Sequence, residues 1–368
     1  MQPGAMRIAD IRASVHAFPV RLPMIDRPLK PRRIVVVTVE TDQGLVGHGI
    51  TGAFLPSAVK AALEDDILAT VRGMDAEAIE AIHLRLGAAL NSRAATGTFS
   101  HALSALDIAL WDLRGKALGR SVASLLGGAR SACGAYATFG FPAYDADQLV
   151  AAALAQREEG FGALKMVVGV APGGWREDAR RIRQVREAVG PDVALMIDAN
   201  CCFSPYEARE LARAVAECDL AWFEEPLAAN DARALADFRQ VAGIPVAAGQ
   251  MEGHRFRLRE LITHQAVDVL QPNVAYSGGF TEVAKVAHMA EAFNLPIDNG
   301  GGWPLHNLHA MAGLANGGMV EFHLDMRQIG EALFDGAPRP EGGMITVPDA
   351  PGLGLTPRRE VLADTRIA

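Results

Sequence analysis

The sequence has little that would direct it to nucleic acid, to a membrane or to an oxidising compartment. Basic residues do not run beyond pairs such as Arg32-Arg33 and Arg358-Arg359, and 43 acidic against 35 basic residues leave a net charge of −8. Nucleic-acid binding needs a clustered basic patch, and nothing here points to one. No stretch approaches the roughly 18 apolar residues of a membrane span. The opening residues, MQPGAMRIADIRAS, hold no apolar core of signal-peptide length, so a cytoplasmic location is the expectation. There are four cysteines, Cys133, Cys201, Cys202 and Cys218, and no CxxC. Adjacent Cys201 and Cys202 are poorly placed to bridge each other, so these read as structural thiols in a reducing compartment. No GxGxxG follows an early strand, which argues against a doubly wound dinucleotide-binding sheet.

What is present is a chain of 368 residues, half of them hydrophobic, enough for a large core and two domains. An acidic protein that takes an anionic substrate needs a local cation, such as a metal or a buried lysine. Ile8–Phe18, Ile34–Glu40 (IVVVTVE) and Leu45–Ile50 read as antiparallel strands, the last two joined by the Asp42-Gln43-Gly44 turn. From Pro56 to Leu126 the pattern is helical. Its clearest stretch is Ser100–Lys116, stopped at Leu118-Gly119. Strands followed by helices are the order of an α+β domain.

After Gly127-Gly128 short apolar strands alternate with helices. Strands are expected at Gly134–Thr138, Ala163–Val168, Val193–Asp198, Ala221–Glu224, Val246–Ala248, Val267–Gln271, Leu295–Asp298 and Met319–Phe322. Eight such alternations predict a (β/α)8 TIM-type barrel. The expected layout is an N-terminal α+β capping domain over residues 1–128, the barrel over 129–328, and a tail, 329–368, that returns to the cap.

In such a barrel the polar residues at the C-terminal strand ends face the active site. Here those are Lys165, Asp198, Glu224, Gln250, Asn273, Asp298 and Glu321. Asp198, Glu224 and Gln250 stand 26 residues apart, one strand–helix unit each. Three oxygen-bearing side chains from consecutive strands suit Mg²⁺, a hard cation. Lys165 lies within the apolar run LKMVV and would be costly to bury without a partner. Beside a metal its pKa should fall, which would make a neutral amine available as a base.

SALDIALWDLRGKALGRSVASLLGG (Ser104–Gly128), ALKMVVG (Ala163–Gly169), LMIDAN (Leu195–Asn200), WFEEP (Trp222–Pro226), VAAGQ (Val246–Gln250) and LQPNVAYSGG (Leu270–Gly279) come in an informative order and spacing. Together they resemble the enolase superfamily, mandelate racemase / muconate lactonizing enzyme group, over nearly the whole chain. The resemblance implies a Mg²⁺-dependent enzyme that removes the α-proton of a small carboxylate substrate through an enediolate, and a homo-oligomer. It implies Asp198 and Glu224 as metal ligands, with Gln250 where the third, usually a glutamate, would stand. Glu252 is the fallback, unless it pairs with an arginine such as Arg255. Lys165 matches the first lysine of a Lys-x-Lys pair whose second member is here Val167. It implies an acid/base or carboxylate-neutralising role for Lys165. Glu321 matches a glutamate that hydrogen-bonds the reacting carboxylate, with a structural role as the alternative.

The departures matter as much. Asn273 replaces the acidic or basic residue of strand six, and strand seven ends PIDNGGGWPLHN without the usual histidine. His306, near a helix start, or Asp298 is left as the candidate second acid/base, while His309 reads as a packed residue. Gly300, Gly301 and Gly302 would let backbone approach a ligand closely. Without the usual His–Asp pair a two-base racemase is disfavoured, so dehydration of a sugar acid is the expectation. A racemase, epimerase or cycloisomerase is the alternative, and a ligand-binding member degraded at Gln250, Val167 and Asn273 the third. Arg21, Arg32, Arg33 and His48, from Val20–Arg33 and Gly47–Phe54, are candidate substrate contacts.

Overall fold

The β-branched run Ile34–Val39 is the middle of a three-stranded antiparallel sheet: β1 (Ile8–Phe18), β2 (Arg32–Thr41) and β3 (Val46–Thr51). A computed structural model describes residues 4–52, 54–90, 96–141 and 144–368. Ala53, inside the proposed contact segment Gly47–Phe54, lies outside the described residues. The sheet packs on a helix, Thr98–Leu118, that ends at Gly119 in a left-handed conformation (φ 63°). Gly49 and Gly47 set how close that packing is. A Cβ on Gly49 would lie 1.9 Å from the Ala105 carbonyl oxygen.

Seven of the second sheet's eight strands are parallel neighbours: β4 (Ala132–Phe139), β5 (Ala163–Val167), β6 (Ala194–Asp198), β7 (Leu220–Glu224), β8 (Val246–Ala248), β9 (Val269–Leu270) and β10 (Val320–His323). Their order is β10-β4-β5-β6-β7-β8-β9, so the last strand returns beside the first. The expected strand Leu295–Asp298 is reduced to Ile297, which bridges Leu270 on one side and Gly317 on the other. Pro296 offers no N–H to a ladder, which limits a strand there. The architecture is the expected TIM-type barrel with its seventh position reduced to one residue.

The tail runs through β11 (Phe334–Asp335), β12 (Met344–Thr346) and β13 (Thr356–Pro357). It ends on the cap: Ile367 N–H donates to the Val15 carbonyl at 2.8 Å, and Val15 N–H to the Ala368 carbonyl at 2.9 Å. All four cysteines are free. Among the described residues no helix is long and apolar enough to cross a membrane.

The barrel interior is layered. Tyr136, Ala163, Met196, Trp222 and Ala247 form a separate apolar cluster. Tyr136 and Trp222 meet edge to face at 5.5 Å, and Tyr136 donates its hydroxyl to the Asn299 carbonyl. Two residues further along four of these strands, and so on the same face, stand the polar Thr138, Lys165, Asp198 and Glu224. The sequence thus places a charged layer on an apolar floor.

A polar network links cap and barrel elsewhere. His83, from the cap helix Ile79–Leu90, has Nε2 2.8 Å from Asp107 Oδ2 and Nδ1 3.8 Å from Glu282 Oε1. Glu282 also meets His254 and Arg255. Burial opposes charge on His83, but Asp107 and Glu282 outweigh it and raise its pKa to about 9. A raised folded-state pKa stabilises fully below the unfolded value, near 6.5, and that stability is lost as pH rises through 9. The expected loss between pH 6.5 and 10 is roughly 3 kcal/mol. Denaturant melts at both pH values check it, and His83→Gln should flatten the difference.

Candidate active site

The C-terminal strand ends carry the polar layer, and Lys165 is its centre. It is fully buried. Its Nζ lies 2.5 Å from Glu224 Oε1, 2.9 Å from Glu321 Oε1 and 3.1 Å from Asp198 Oδ2, and 5.5 Å from the Tyr136 ring centroid. Burial alone would lower its pKa. Glu224 and Glu321, followed by Tyr136 and Asp198, outweigh that and hold it well above the ordinary lysine value. The protein's own groups thus hold Lys165 as an ammonium clamped by carboxylates, whereas the lowered pKa was expected of a lysine beside a bound metal.

Each carboxylate has its own support. Glu321 accepts from Thr138 Oγ1 and from Gly302 N–H at 2.7 Å. Burial pushes it up, but Lys165 first, then His323 and Thr138, keep it below the ordinary value. Both Glu224 oxygens are engaged, Oε1 by Lys165 and Oε2 by Trp222 Nε1 at 3.1 Å and Gln271 Nε2 at 2.7 Å. Burial nevertheless raises Glu224 well above the carboxylate range. Glu225, which sequence reading passed over, leaves the strand with φ 42° and turns back to the site. It accepts from Asn230 at 2.8 Å and from Gln250 Nε2 at 3.0 Å, and burial raises it to about 7. Gln250 Nε2 also lies 3.5 Å from Asp198 Oδ2.

Asp198, Glu224 and Glu321 therefore crowd round a single ammonium, and Glu225 is joined to them through Gln250. Buried like charges favour either protons or a further cation. The donors are all oxygens, which fits a hard divalent ion with two carboxylates and one amide as its protein ligands. Among the described residues no three His, Cys, Asp or Glu side chains form a ready-made cage. Gln250 is an amide, and Glu224 is turned to Lys165.

Above this layer lies a cavity of about 290 Å³ between cap and barrel. The barrel lines it with Val167, Asp198, Gln250, Tyr276, Glu321 and His323, the cap with Arg32, Phe54, Ser100 and His101. Gly301 also faces it, and a Cβ there would lie 3.0 Å from Gln250 Oε1. Asn273 does not face it. Its Nδ2 donates to the Gly300 carbonyl at 2.6 Å and the Gly302 carbonyl at 3.1 Å, pinning the glycine loop.

Other expected residues fall elsewhere. His306 is buried in the Pro304–Gly313 helix with its ring against Trp303 and Phe334, and burial lowers its pKa to about 3. It does not line the cavity, which corrects its assignment as an acid/base: the apolar rings that pack it also close it off. Asp298 accepts from Met319 N–H, a backbone-anchoring role at the start of β10. His309 packs as expected, bonded at the Ala123 N–H and the Leu353 carbonyl. Glu252 pairs with Arg257 at 2.9 Å, not with Arg255, which pairs with Glu282. Arg33 lines a second, adjoining cleft with Arg27, Lys30 and Arg32. Arg21 and His48 line neither cavity.

Two histidines missed by sequence reading do face the main cavity. His101 Nδ1 lies 3.2 Å from Thr51 Oγ1, whose proton goes to the Ala275 carbonyl at 2.6 Å, so Nδ1 is the donor. Burial lowers His101 to about 4 and leaves it neutral. His323 follows Glu321 by two residues on one strand. The period of two was a signal in the sequence that could have found it.

The family description "Mandelate racemase / muconate lactonizing enzyme, N-terminal domain" matches residues 7–127, and "Enolase C-terminal domain-like" matches residues 148–361. The chain belongs to the mandelate racemase / muconate lactonizing enzyme family. It is 35% identical to the D-galactarolactone cycloisomerase of Agrobacterium fabrum, over 91% of this chain and 92% of that one. It is 30% identical to the arabinonate dehydratase of Saccharolobus solfataricus, over 91% of each. A Streptomyces coelicolor racemase crystallised with bound magnesium superposes with a TM-score of 0.91 at 28% identity, covering 98% of this chain and 100% of that one.

Proposed function

We propose that this family member is a magnesium-dependent enzyme that removes the α-proton of a sugar acid and expels the β-hydroxyl as water, giving a 2-keto-3-deoxy acid. The observation that carries this is the charged layer itself: Lys165 within 3.1 Å of Asp198, Glu224 and Glu321, at the floor of a cavity between cap and barrel. Asp198, Glu224 and Gln250 would hold the metal. Magnesium, when bound, supplies a Lewis acid that offsets charge developing on the substrate's carboxylate oxygens. Lys165 adds a fixed positive charge beneath that carboxylate, and Glu321 orients it through its bonds to Lys165 and Gly302. Arg32 and His101 of the cap are placed to meet hydroxyls or a second anionic group at the far end.

A cycloisomerase shares the α-proton step, and the 35% identity to such an enzyme favours it as the second reading. There the leaving oxygen belongs to the substrate's own ring, and no water is released. Incubation with Mg²⁺ in D₂O against aldonic acids, aldaric acids and their lactones, read by NMR and a 2-keto-acid assay, separates the two. A 2-keto-3-deoxy product is the expected result. An isomer of unchanged mass would replace it with the second reading, and no deuterium uptake from any acid would overturn both.

A further inference from the structure

Val167 occupies the cavity wall where a second lysine would stand, and Lys165 is clamped beneath the floor. The proton-transfer group must therefore come from elsewhere on the lining. Tyr276 accepts from Trp303 Nε1 at 2.8 Å, and burial raises its pKa to about 12. His101 faces the cavity with no carboxylate partner among the described residues, and burial lowers its basicity.

His323 differs. It ends β10, on the inward face that also presents Glu321, and lines the cavity. Its Nδ1 is paired with Asp325 Oδ1. Asp325 is itself buried, and its other oxygen accepts from Arg32 Nε at 2.7 Å. Phe141 meets the imidazole edge to face at 4.8 Å and fixes its plane. Among the described residues the ring's other nitrogen, Nε2, has no hydrogen-bond partner. A base oriented by a carboxylate, which is in turn held by a third group, is the arrangement that activates and aims a proton-transfer histidine.

Resting on the α-proton reading above, we propose that His323 is the catalytic base and acid of the reaction, with Asp325 as its positioning residue and Arg32 as the clamp on Asp325. Neutral Nε2 takes the α-proton as the C–H bond breaks, and the electron pair passes to the carboxylate oxygens as the enediolate. The imidazolium then returns that proton to the β-oxygen as the C–O bond breaks. Water leaves, and the resulting enol ketonises to the 2-keto acid. One group serves both steps, so proton and electron pair balance without a co-reactant, and loss of the two hydrogens and oxygen occurs on one face of the substrate.

The groups that face His323 are Asp325, Glu321, Arg32 and the apolar Phe141 ring. Burial and Arg32 oppose charge on the imidazole, but Asp325 foremost and Glu321 outweigh them and raise its pKa. The base must be neutral to start, so activity should rise with pH through a value above 6.5.

The test uses the full chain with Mg²⁺ and the acid panel. His323→Asn should lower both deuterium uptake and 2-keto-acid formation about a thousandfold. Asp325→Asn should lower kcat roughly tenfold or more and move the acid limb to lower pH, a shift that a structural role alone would not produce. Circular dichroism monitors folding, and if His323→Asn does not fold the Asp325→Asn pH profile decides. Wild-type turnover that persists within threefold in His323→Asn, or an unmoved limb in Asp325→Asn, overturns the assignment. A wild-type enzyme that exchanges no α-proton with any acid overturns the α-proton reading itself and this role with it.

Discussion

Lys165→Met should reduce turnover by roughly 10³- to 10⁴-fold and change the protein's pH stability at the same time. The turnover loss follows from removing the fixed charge beneath the substrate carboxylate, the kind of preorganised electrostatic contact whose deletion costs about 10²–10³ by itself. The remainder comes from Glu321, which loses its partner at 2.9 Å. For stability, Asp198, Glu224 and Glu321 would lose the ammonium they share, and breaking a buried pair costs roughly 3–5 kcal/mol. The sign depends on pH. In the variant Glu224 and Glu321, which burial pushes up and Lys165 holds down, would titrate above their unfolded values, so the folded state binds more protons than the unfolded one. The destabilisation is then smallest at low pH and grows as pH rises through those raised values. Thermal melts from pH 5 to 8 check this, and Mg²⁺ should restore part of the loss. A variant as stable as wild type at pH 8 without metal would mean that the three carboxyls are held by contacts other than Lys165.

Much of the barrel was legible because its strands are short apolar runs at a regular repeat, each ending in a polar residue. β1 was read to its last residue, since its alternation of buried and exposed positions matches the pleat. The seventh strand was over-read. Leu295-Pro296-Ile297 is apolar, but Pro296 cannot supply the ladder and Ile297 alone bridges. At the site, in-phase spacing brought Asp198, Glu224 and Gln250 into view, one strand–helix unit apart, while Lys165 and Glu321 were read from their places on expected strands and from the resemblance. What spacing could not convey was which way charge flows between them. Lys165 reads in sequence as a base beside a metal and in three dimensions as the counter-ion of three carboxylates. Glu225 escaped because strand alternation points it away, and only its left-handed backbone turns it back. His306 was favoured for its place at a helix start, while burial between Trp303 and Phe334 depends on long-range packing invisible in local sequence.

Gln250 offers the sharpest test of how the metal would be held, because Gln250→Glu changes one oxygen-bearing group by one charge at nearly constant shape. As an amide, Gln250 donates toward Asp198 and Glu225 and so ties two carboxylates together without adding to their repulsion. A glutamate there loses both donations and adds a further negative charge to a site that already has more carboxylates than cations. In metal-free buffer the variant should therefore melt lower than wild type, increasingly so as pH rises, for the same proton-linkage reason as at Lys165. With magnesium the sign reverses. Oxygen-ligand sites are tuned by the charge they carry, so calorimetry should show affinity raised roughly ten- to a hundredfold, or about 1.4–2.8 kcal/mol. The crossover between the two melting curves with added Mg²⁺ is the diagnostic, since neither lost packing nor generic charge repulsion produces it. An unchanged Kd would remove Gln250 from the coordinating set and transfer the role to Glu225, which already lies 3.0 Å from its amide nitrogen. A tighter site with lower turnover would mean that the amide is retained because the neutral ligand leaves magnesium the more electrophilic toward substrate.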